Sequence, residues 1–356
     1  MTINDDKKPI RWGIWSTGNI ASKFARDLPA VSDAILHSIR SRDVASAKAF
    51  GDKHGRNVAA FDDDRFLDDP DLDAVYIASP HIFHCEQAIK AIERGKPVLV
   101  EKPLAMNAAE ARKIEAASKK HGVLAMEATW TRFLPTTQQA RAILLSGDLG
   151  KPVRAEATLH FYCPFQPNHR LFDPALGGGA MLDLGVYPLS IAQFLLGDLQ
   201  LNDARWAAAP SGVDHNARFE FTAGDVPVDA AVGFWETRQE QGDNRFIVYC
   251  ENGVVALDRP MVAAPRVMVW KRPLKQLPLI EGSKLKRVWA KYRYKPDAVF
   301  APNRKTTGLN FQVEAVNAAL RAGQLEVSDM PLGTSANVLE IIEQVIGRAP
   351  GTGPYR

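Results

Sequence analysis

Six short apolar runs alternate with helical patterns between Ile10 and Ala128, and this alternation constrains the fold more than any other feature of the chain. The runs are Ile10–Trp15, Ala34–Ile39, Val58–Phe61, Ala74–Ala78, Pro97–Val100 and Val123–Ala128. Segments this short and this continuously apolar suit strands buried on both faces, as in a parallel sheet. The helices between them have readable ends. Asp43 opens one that stops at Gly55, and an Asn107-x-x-Glu110 capping box opens another that ends at Gly122 after two lysines and a histidine. Strand and helix in strict alternation predict a doubly wound α/β sheet.

After Thr136 the pattern changes. One amphipathic helix ends near Ser146-Gly147, and strand-like segments follow at Val153–Phe161, Phe219–Thr222, Val228–Trp235 and Phe246–Cys250. Two helices, over Phe311–Arg321 and Ser335–Ile346, close the chain. This reads as an α+β second domain, so the expected division is residues 1–130 and 131–356, with the closing helices able to pack back on the first domain. A chain of 356 residues that is 46% hydrophobic is long enough for two cores.

Charge and cysteine usage narrow the function classes. A net charge of +3 gives no reason to expect a nucleic-acid or membrane partner. The three cysteines, Cys85, Cys163 and Cys250, are far apart and never in C-x-x-C spacing, which points to a reducing compartment rather than a disulfide framework. With no run of about 18 apolar residues and no signal-peptide pattern in the first residues, a cytoplasmic location is expected. His81 and His84 have i, i+3 spacing but no third ligand nearby, so no metal site is expected. A basic, aromatic stretch from Arg266 to Lys295, with Trp270, Trp289, Tyr292 and Tyr294, is read as a solvated extension or a contact between subunits.

The first run ends in Ser16-Thr17-Gly18-Asn19-Ile20-Ala21 and leads directly into a helix. This is the G-x-G-x-x-A turn of dinucleotide-binding proteins with serine at the first glycine. Gly18 would let the backbone approach a pyrophosphate, Ala21 would allow close helix packing, and the helix N-terminus would supply amide donors. The second strand ends in Arg40-Ser41-Arg42-Asp43. An acid at this place binds the ribose hydroxyls of NAD, whereas Ser41 and Arg42 suit a 2′-phosphate, so NADP is favoured. Asp43 leaves NAD open as a second acceptor.

Further along, Ser79-Pro80 and Glu101-Lys102-Pro103 follow the fourth and fifth strands, where open parallel sheets bind their ligands. Trp130 and Arg132 follow the sixth, as an aromatic wall and a cationic donor beside nicotinamide or substrate. Gly177-Gly178-Gly179 then leads into an apolar helix in which Asp183 and Tyr187, four residues apart, share a face.

Together these pieces resemble the glucose-fructose oxidoreductase and inositol dehydrogenase family (Gfo/Idh/MocA) over most of the chain. The likeness rests on Ser16–Ala21, Val75–His84, Glu101-Lys102-Pro103 and the Gly178-Gly179 helix with Asp183. Trp12-Gly13-Ile14-x-Ser16-x-Gly18, Met126–Phe133 and Leu182-Asp183-Leu184-Gly185-x-Tyr187 look most like the dimeric dihydrodiol dehydrogenase and NADP-dependent D-xylose dehydrogenase branch, which also has serine at the first-glycine position. The resemblance implies a large, mostly antiparallel open sheet in the second domain and a homodimer or higher homo-oligomer paired through that sheet. It also implies a place for His84 near the cofactor, and hydride transfer between NADP and a sugar, polyol or trans-dihydrodiol. Tyr187 would be the acid/base, Lys102 its partner, and Asp183 an orienting carboxylate.

That assignment is chemically coherent. A free tyrosine has a pKa of about 10, and a nearby ammonium lowers it by favouring the phenolate. The readings that remain open are a reductase of an anhydroketose, an inositol dehydrogenase, a glycosidase that holds NAD and works through transient oxidation, and a non-catalytic NADP sensor.

Overall fold

The computed structural model describes residues 8–55, 57–237, 243–277 and 293–351. Within them the chain forms two compact units. The first takes the residues up to Phe133, Ala175–Gly177 and Arg304–Glu340; the second takes Leu134–Pro174, Gly178–Asn303 and the residues from Ile341.

The first unit is built on a six-stranded parallel sheet of β1 (Ile10–Trp15), β2 (Ala34–Arg40), β3 (Ala59–Phe61), β4 (Ala74–Ile77), β5 (Val98–Glu101) and β6 (Ala125–Ala128). Their spatial order is β3-β2-β1-β4-β5-β6. The order reverses between β1 and β4, which is the switch point where doubly wound sheets bind nucleotides. Each of the six apolar runs became a strand, the first with the same ends and the others with an end shifted by one or two residues. The helix Val44–His54 starts at Asp43, whose side chain accepts from the Ser46 amide. The helix Ala108–His121 starts at Asn107, which accepts from the Glu110 amide, and stops at Gly122 in the left-handed region at φ 62°. Glu110 completes the cap one residue early, accepting from the Met106 amide at 3.1 Å.

The core of this unit joins distant parts of the sequence. Trp12 meets Phe24 edge-on at 5.7 Å and Phe24 stacks on Tyr76 at 3.8 Å. The helix Asn310–Arg321 lays Val313, Val316, Ala319 and Leu320 on the same core, and its Asn317 accepts from the Trp12 indole at 3.1 Å. The first unit is therefore not continuous in sequence: an amphipathic helix must bury its apolar stripe somewhere, and this one does so on the parallel sheet.

The second unit carries eight strands: β7 (Pro152–Tyr162), β8 (Leu199–Ala208), β9 (Asp214–Ala223), β10 (Val226–Trp235), β11 (Phe246–Cys250), β12 (Val254–Leu257), β13 (Val267–Trp270) and β14 (Ala298–Phe300). Their order is β14-β13-β12-β11-β7-β10-β9-β8, antiparallel except for the β7–β10 pair. On β7 and β9 apolar residues (Ala155, Ala157, Leu159; Ala217, Phe219, Phe221) face the core and alternate with Arg154, Glu156, Arg218 and Glu220. That alternation is the mark of a sheet with one wetter face. The helix Val186–Leu196 packs on the buried face of β7 to β10, and the helix Pro135–Ser146 on β12 and β13.

The described part of the basic, aromatic stretch is part of this unit's own packing. Trp270 lies in β13 and is 2% exposed, and its indole donates to the Tyr294 carbonyl at 2.9 Å. With Tyr249, Ile247 and Leu277 it forms a second apolar cluster on the sheet. Arg272 pairs with Asp297 at 3.0 Å and Arg266 with Asp258 at 2.6 Å, so these charges are answered within the chain. Trp289 and Tyr292 lie outside the described residues.

Among the described residues one helical stretch, Pro174–Leu196, is long and apolar enough to cross a membrane, and 89% of its most apolar window is buried inside the protein. It is a core helix of the second unit in its greater part.

Candidate active site

Because all six strands of the first sheet are parallel, the segments that follow β1, β2, β4, β5 and β6 emerge at one edge of it. Most of the expected cofactor residues stand there. Gly18 is the N-cap of the helix Asn19–Asp27 and offers no side-chain cap to the first-turn amides. A methyl group added at Gly18 would meet only the Ser16 hydroxyl, at 3.9 Å, so it would project into open space in front of the helix. That is where a pyrophosphate would be held. Ser16 itself has φ 126°, a conformation costly for a residue with a side chain, and its amide is tied to the Arg40 carbonyl at 2.9 Å. Strain of about 1–3 kcal/mol is typical of such positions and is concentrated at ligand clamps. Asn19 and Ile20 are the first two residues of the helix.

At the end of β2 the four candidate side chains have separate roles. The Thr17 and Ser41 hydroxyls approach to 3.4 Å, across the gap between the first and second strand ends. Arg40 lies over the Trp15 ring at 3.9 Å and pairs with Asp64 at 3.2 Å; partial burial lowers its pKa. Asp43 has both carboxylate oxygens on Ser46, at 2.7 Å to the amide and 2.8 Å to the hydroxyl, and these bonds hold its pKa below the usual range. Arg42 is exposed. A donor set of two hydroxyls and one exposed guanidinium, with the neighbouring acid engaged in a helix cap, fits a phosphorylated ribose better than a bare one.

The loop after β4 is tied to the loop after β5. The Ser79 hydroxyl donates to Gln87 at 2.5 Å, and Pro80 is exposed beside it. His84 is fully buried, with Nε2 at 2.9 Å from the Ser79 carbonyl and Nδ1 at 2.8 Å from the Pro103 carbonyl. Two carbonyl neighbours favour an imidazolium, but burial opposes it more strongly and its pKa lies below the ordinary value. His84 thus joins the two loops. It stacks edge-on with His81 at 5.7 Å. Among the described residues no group of three histidine, cysteine or acidic side chains is placed to hold a metal ion.

Glu101 is buried at the end of β5, and burial pushes its pKa up to about 7 against the opposing pull of the Tyr76 hydroxyl and Lys102. The Tyr76 hydroxyl donates to one of its oxygens and the Lys102 amide to the other, at 3.3 Å. The aromatic stack Trp12–Phe24–Tyr76 therefore ends on the carboxyl group that precedes Lys102. Lys102 is half-buried and its bond to Pro103 is cis.

On β6, Glu127 is a second buried carboxyl group that the sequence reading did not single out. It accepts from the Leu104 amide at 2.9 Å and the Ser335 hydroxyl at 2.7 Å, and burial raises its pKa. Trp130 packs half-buried on the core, and Arg132, 2% exposed, donates to the Asp329 carbonyl at 3.1 Å. The Arg132 guanidinium thus has partners within the first unit.

Asp183 and Tyr187 belong to the second unit. Both are buried, at 9% and 8% exposure. The structure differs here from a continuous α-helix: Met181–Gly185 forms a π-turn, and the α-helix begins only at Val186. A spacing of four residues is close to one turn in either winding, so the two side chains still lie on one side. Single π-turns inside helices are frequent at functional sites. Arg170 reaches Asp183 at 3.5 Å. The turn is fixed by backbone bonds, Gly178 to the Asp173 carbonyl and Gly179 to the Leu171 carbonyl, both at 2.9 Å.

Comparison with known proteins matches both parts of the chain. The model of the Gfo/Idh/MocA oxidoreductase family, NAD-binding Rossmann fold, matches residues 10–129, and that of the family's C-terminal domain matches residues 137–256. The D-xylose 1-dehydrogenase (NADP(+)) of Hypocrea jecorina is 28% identical over 97% of this chain and 93% of that protein. The human trans-1,2-dihydrobenzene-1,2-diol dehydrogenase is 29% identical over 94% of this chain and 96% of that one. Its Xenopus laevis counterpart is 38% identical over a shorter stretch, 50% of this chain and 54% of that protein. Among solved structures, a 3-ketoreductase from Actinomadura kijaniata in complex with NADP and TDP-benzene has a TM-score of 0.78 at 23% identity, covering 96% of this chain and 98% of that one. An aldose-aldose oxidoreductase from Caulobacter crescentus has the same TM-score at 20% identity, covering 95% and 96%. With both family domains matched in order along one chain, and a parallel sheet whose strand ends carry the nucleotide turn, the protein is an oxidoreductase of the Gfo/Idh/MocA family.

Proposed function

We propose that this chain is an NADP-dependent dehydrogenase or reductase that transfers a hydride between the nicotinamide and a sugar, polyol or trans-dihydrodiol. The observation that carries the choice of cofactor is the end of β2, where Asp43 is engaged by Ser46 while Ser41 and the exposed Arg42 remain to meet a 2′-phosphate. Ser16–Ile20 would hold the pyrophosphate. Ser79, Pro80, His84, Glu101, Trp130 and Arg132 would line or support the nicotinamide end, Arg132 and His84 from within the unit's packing. The names of the full-length relatives support the substrate class, one acting on D-xylose with NADP(+) and one on a trans-dihydrodiol.

NADP would supply the hydride acceptor or donor. The chain's own residues would handle the proton. Tyr187 would take the hydroxyl proton of the substrate in oxidation and return one to the alkoxide in reduction; Lys102 would favour the phenolate by its positive charge, and Asp183 would orient the substrate hydroxyl. Two copies of the chain are proposed to form a homodimer. The three free cysteines suit a reducing, cytoplasmic setting.

The test is a screen of aldoses, polyols and aromatic trans-dihydrodiols with NADP and with NAD, read at the absorbance band of reduced nicotinamide. Turnover with NADP on at least one class is the expected result. Activity with NAD alone would overturn the reading of Ser41 and Arg42, and no net reduction with any of them would overturn the dehydrogenase reading.

A further inference from the structure

Asp214 is the first residue of β9 and is 6% exposed. Among the described residues its carboxyl group is bonded by backbone amides rather than held in an ion pair. One oxygen accepts from the Met181 amide at 2.6 Å, and the Ala180 amide also bonds to the group. These two amides open the π-turn Met181–Gly185 that carries Asp183 and continues into the helix with Tyr187. The residue just before them, Gly179, has φ 122°, and a methyl group placed on it would lie 2.1 Å from the other Asp214 oxygen. Glycine is therefore required at 179 twice over, by its backbone angle and by the carboxyl group pressed against it. The two glycines that precede the turn, Gly178 and Gly179, are themselves held by backbone bonds to Asp173 and Leu171.

We propose that Asp214 is the positioning residue of this turn: its buried carboxyl group holds the Ala180 and Met181 amides and so sets where Asp183 and Tyr187 stand. A helix start leaves amides that must find acceptors, and when it is buried no water can serve. Removing the acceptor leaves both amides unsatisfied in the interior, and the cheapest relief is for the turn to rewind. Rewinding a π-turn into α geometry rotates every following side chain, which is how a residue that touches no substrate would act on turnover. Burial, which drives the Asp214 pKa up to about 7, is in keeping with a group retained as an acceptor for amides rather than as one half of an ion pair.

This inference rests on the reading of Asp183 and Tyr187 as the reacting face, and its test keeps the two apart. Asp214→Ala and Asp214→Asn are compared with the unaltered protein using NADP and the fastest substrate of the screen above; NADPH affinity is followed by the fluorescence of the bound dinucleotide. Asp214→Ala should lower kcat at least tenfold with the NADPH Kd changed less than twofold. Asp214→Asn keeps a carbonyl acceptor and should recover kcat to within about threefold of the unaltered protein, by the modest net worth of a single hydrogen bond. Gly179→Ala, which pushes the carboxyl group off its amides without removing it, should reproduce the loss, and stands in for Asp214→Ala if that variant does not fold. Full kcat in the folded alanine variants, or an asparagine variant as slow as the alanine one, would overturn the proposal. Tyr187→Phe in the same assay judges the acid/base reading alone: full turnover there rejects Tyr187 as the proton carrier and leaves the contrast between alanine and asparagine at position 214 to decide this one.

Discussion

The roles proposed for Tyr187 and Arg42 each rest on one chemical group that a single substitution removes. Tyr187→Phe deletes the phenolic hydroxyl and little else from a helix that is mostly apolar. A general acid/base contributes roughly two to four orders of magnitude, so kcat should fall about 100-fold while the NADPH Kd stays within twofold; steady-state rates and dinucleotide fluorescence check the two halves. Arg42 is exposed and its neighbour Asp43 is occupied, so Arg42→Ala would remove the proposed charge-assisted contact to the 2′-phosphate without disturbing the helix cap. Contacts of that kind are worth about 1.5–3 kcal/mol, so kcat/KM with NADP should fall roughly 10- to 100-fold, with the rate on NAD unchanged. Equal losses on both cofactors would assign Arg42 elsewhere.

Helix starts show what the sequence could and could not announce. Asp43 and Asn107 cap the helices that follow them directly, and this local pattern was legible because donor and acceptor are three residues apart. The helix Asn310–Arg321 is capped from the far end of the chain. Asp27 accepts from the Thr307 amide at 3.2 Å, the Thr307 hydroxyl at 2.6 Å, and the Gly308 and Leu309 amides, both at 3.0 Å. No spacing rule reaches across 280 residues. Asp27→Ala should destabilise the protein by about 3 kcal/mol, as expected when several buried or partly buried donors lose one carboxyl acceptor, and a shift in the denaturation midpoint would measure it.

The same contrast runs through the candidate site. The strand ends and the Glu101-Lys102-Pro103 segment could be read from apolar runs and punctuation, because parallel strands put their C-terminal ends on one edge. Glu127, Asp214 and the Arg170 contact could not, since each depends on which strand or loop folds against which turn. β8 and the first half of β9 were hidden for another reason. Asn202, Asp203, Asn216 and Arg218 break the apolar pattern because they stand on the wetter face of the sheet, while Trp206, Ala217 and Phe219 between them are buried.

Burial shifts titratable groups in opposite senses within each unit. In the first, burial raises Glu101 to about 7 and raises Glu127, and it lowers His54 and His84. In the second, burial raises Asp214 to about 7 and lowers His160 to about 4. A carboxyl group with a raised folded pKa contributes stability below its unfolded value that is lost as pH rises to about 7; a histidine with a lowered pKa contributes stability that is lost as pH falls from about 6.5. The two trends oppose each other over the same window. The thermal midpoint should therefore change little between about pH 4.5 and 7. Glu101→Gln should make it rise with pH, and His160→Gln should make it fall. Variant curves that merely run parallel to that of the unaltered protein would show these groups do not titrate as described.

The parallel pair β7–β10 lies in the interior of the second sheet, and it also sets the order in which that sheet can assemble. β8, β9 and β10 are joined by short connections and can zip together as local hairpins, as can β11 with β12. Joining β7 to β10 instead closes a loop of about 70 residues, pairing Ala155 with Val228. Loop entropy must be met before those contacts give anything back, and topologies of this kind fold slowly. Synthesis delivers β7 first, so the strand that seals the centre of the sheet waits with both of its edges open until β10 and β11 arrive. The nascent chain is then most exposed to pairing with the wrong strand, including β7 of another copy, and growth temperature and chaperone supply would be expected to govern the yield of this protein more than its final stability does.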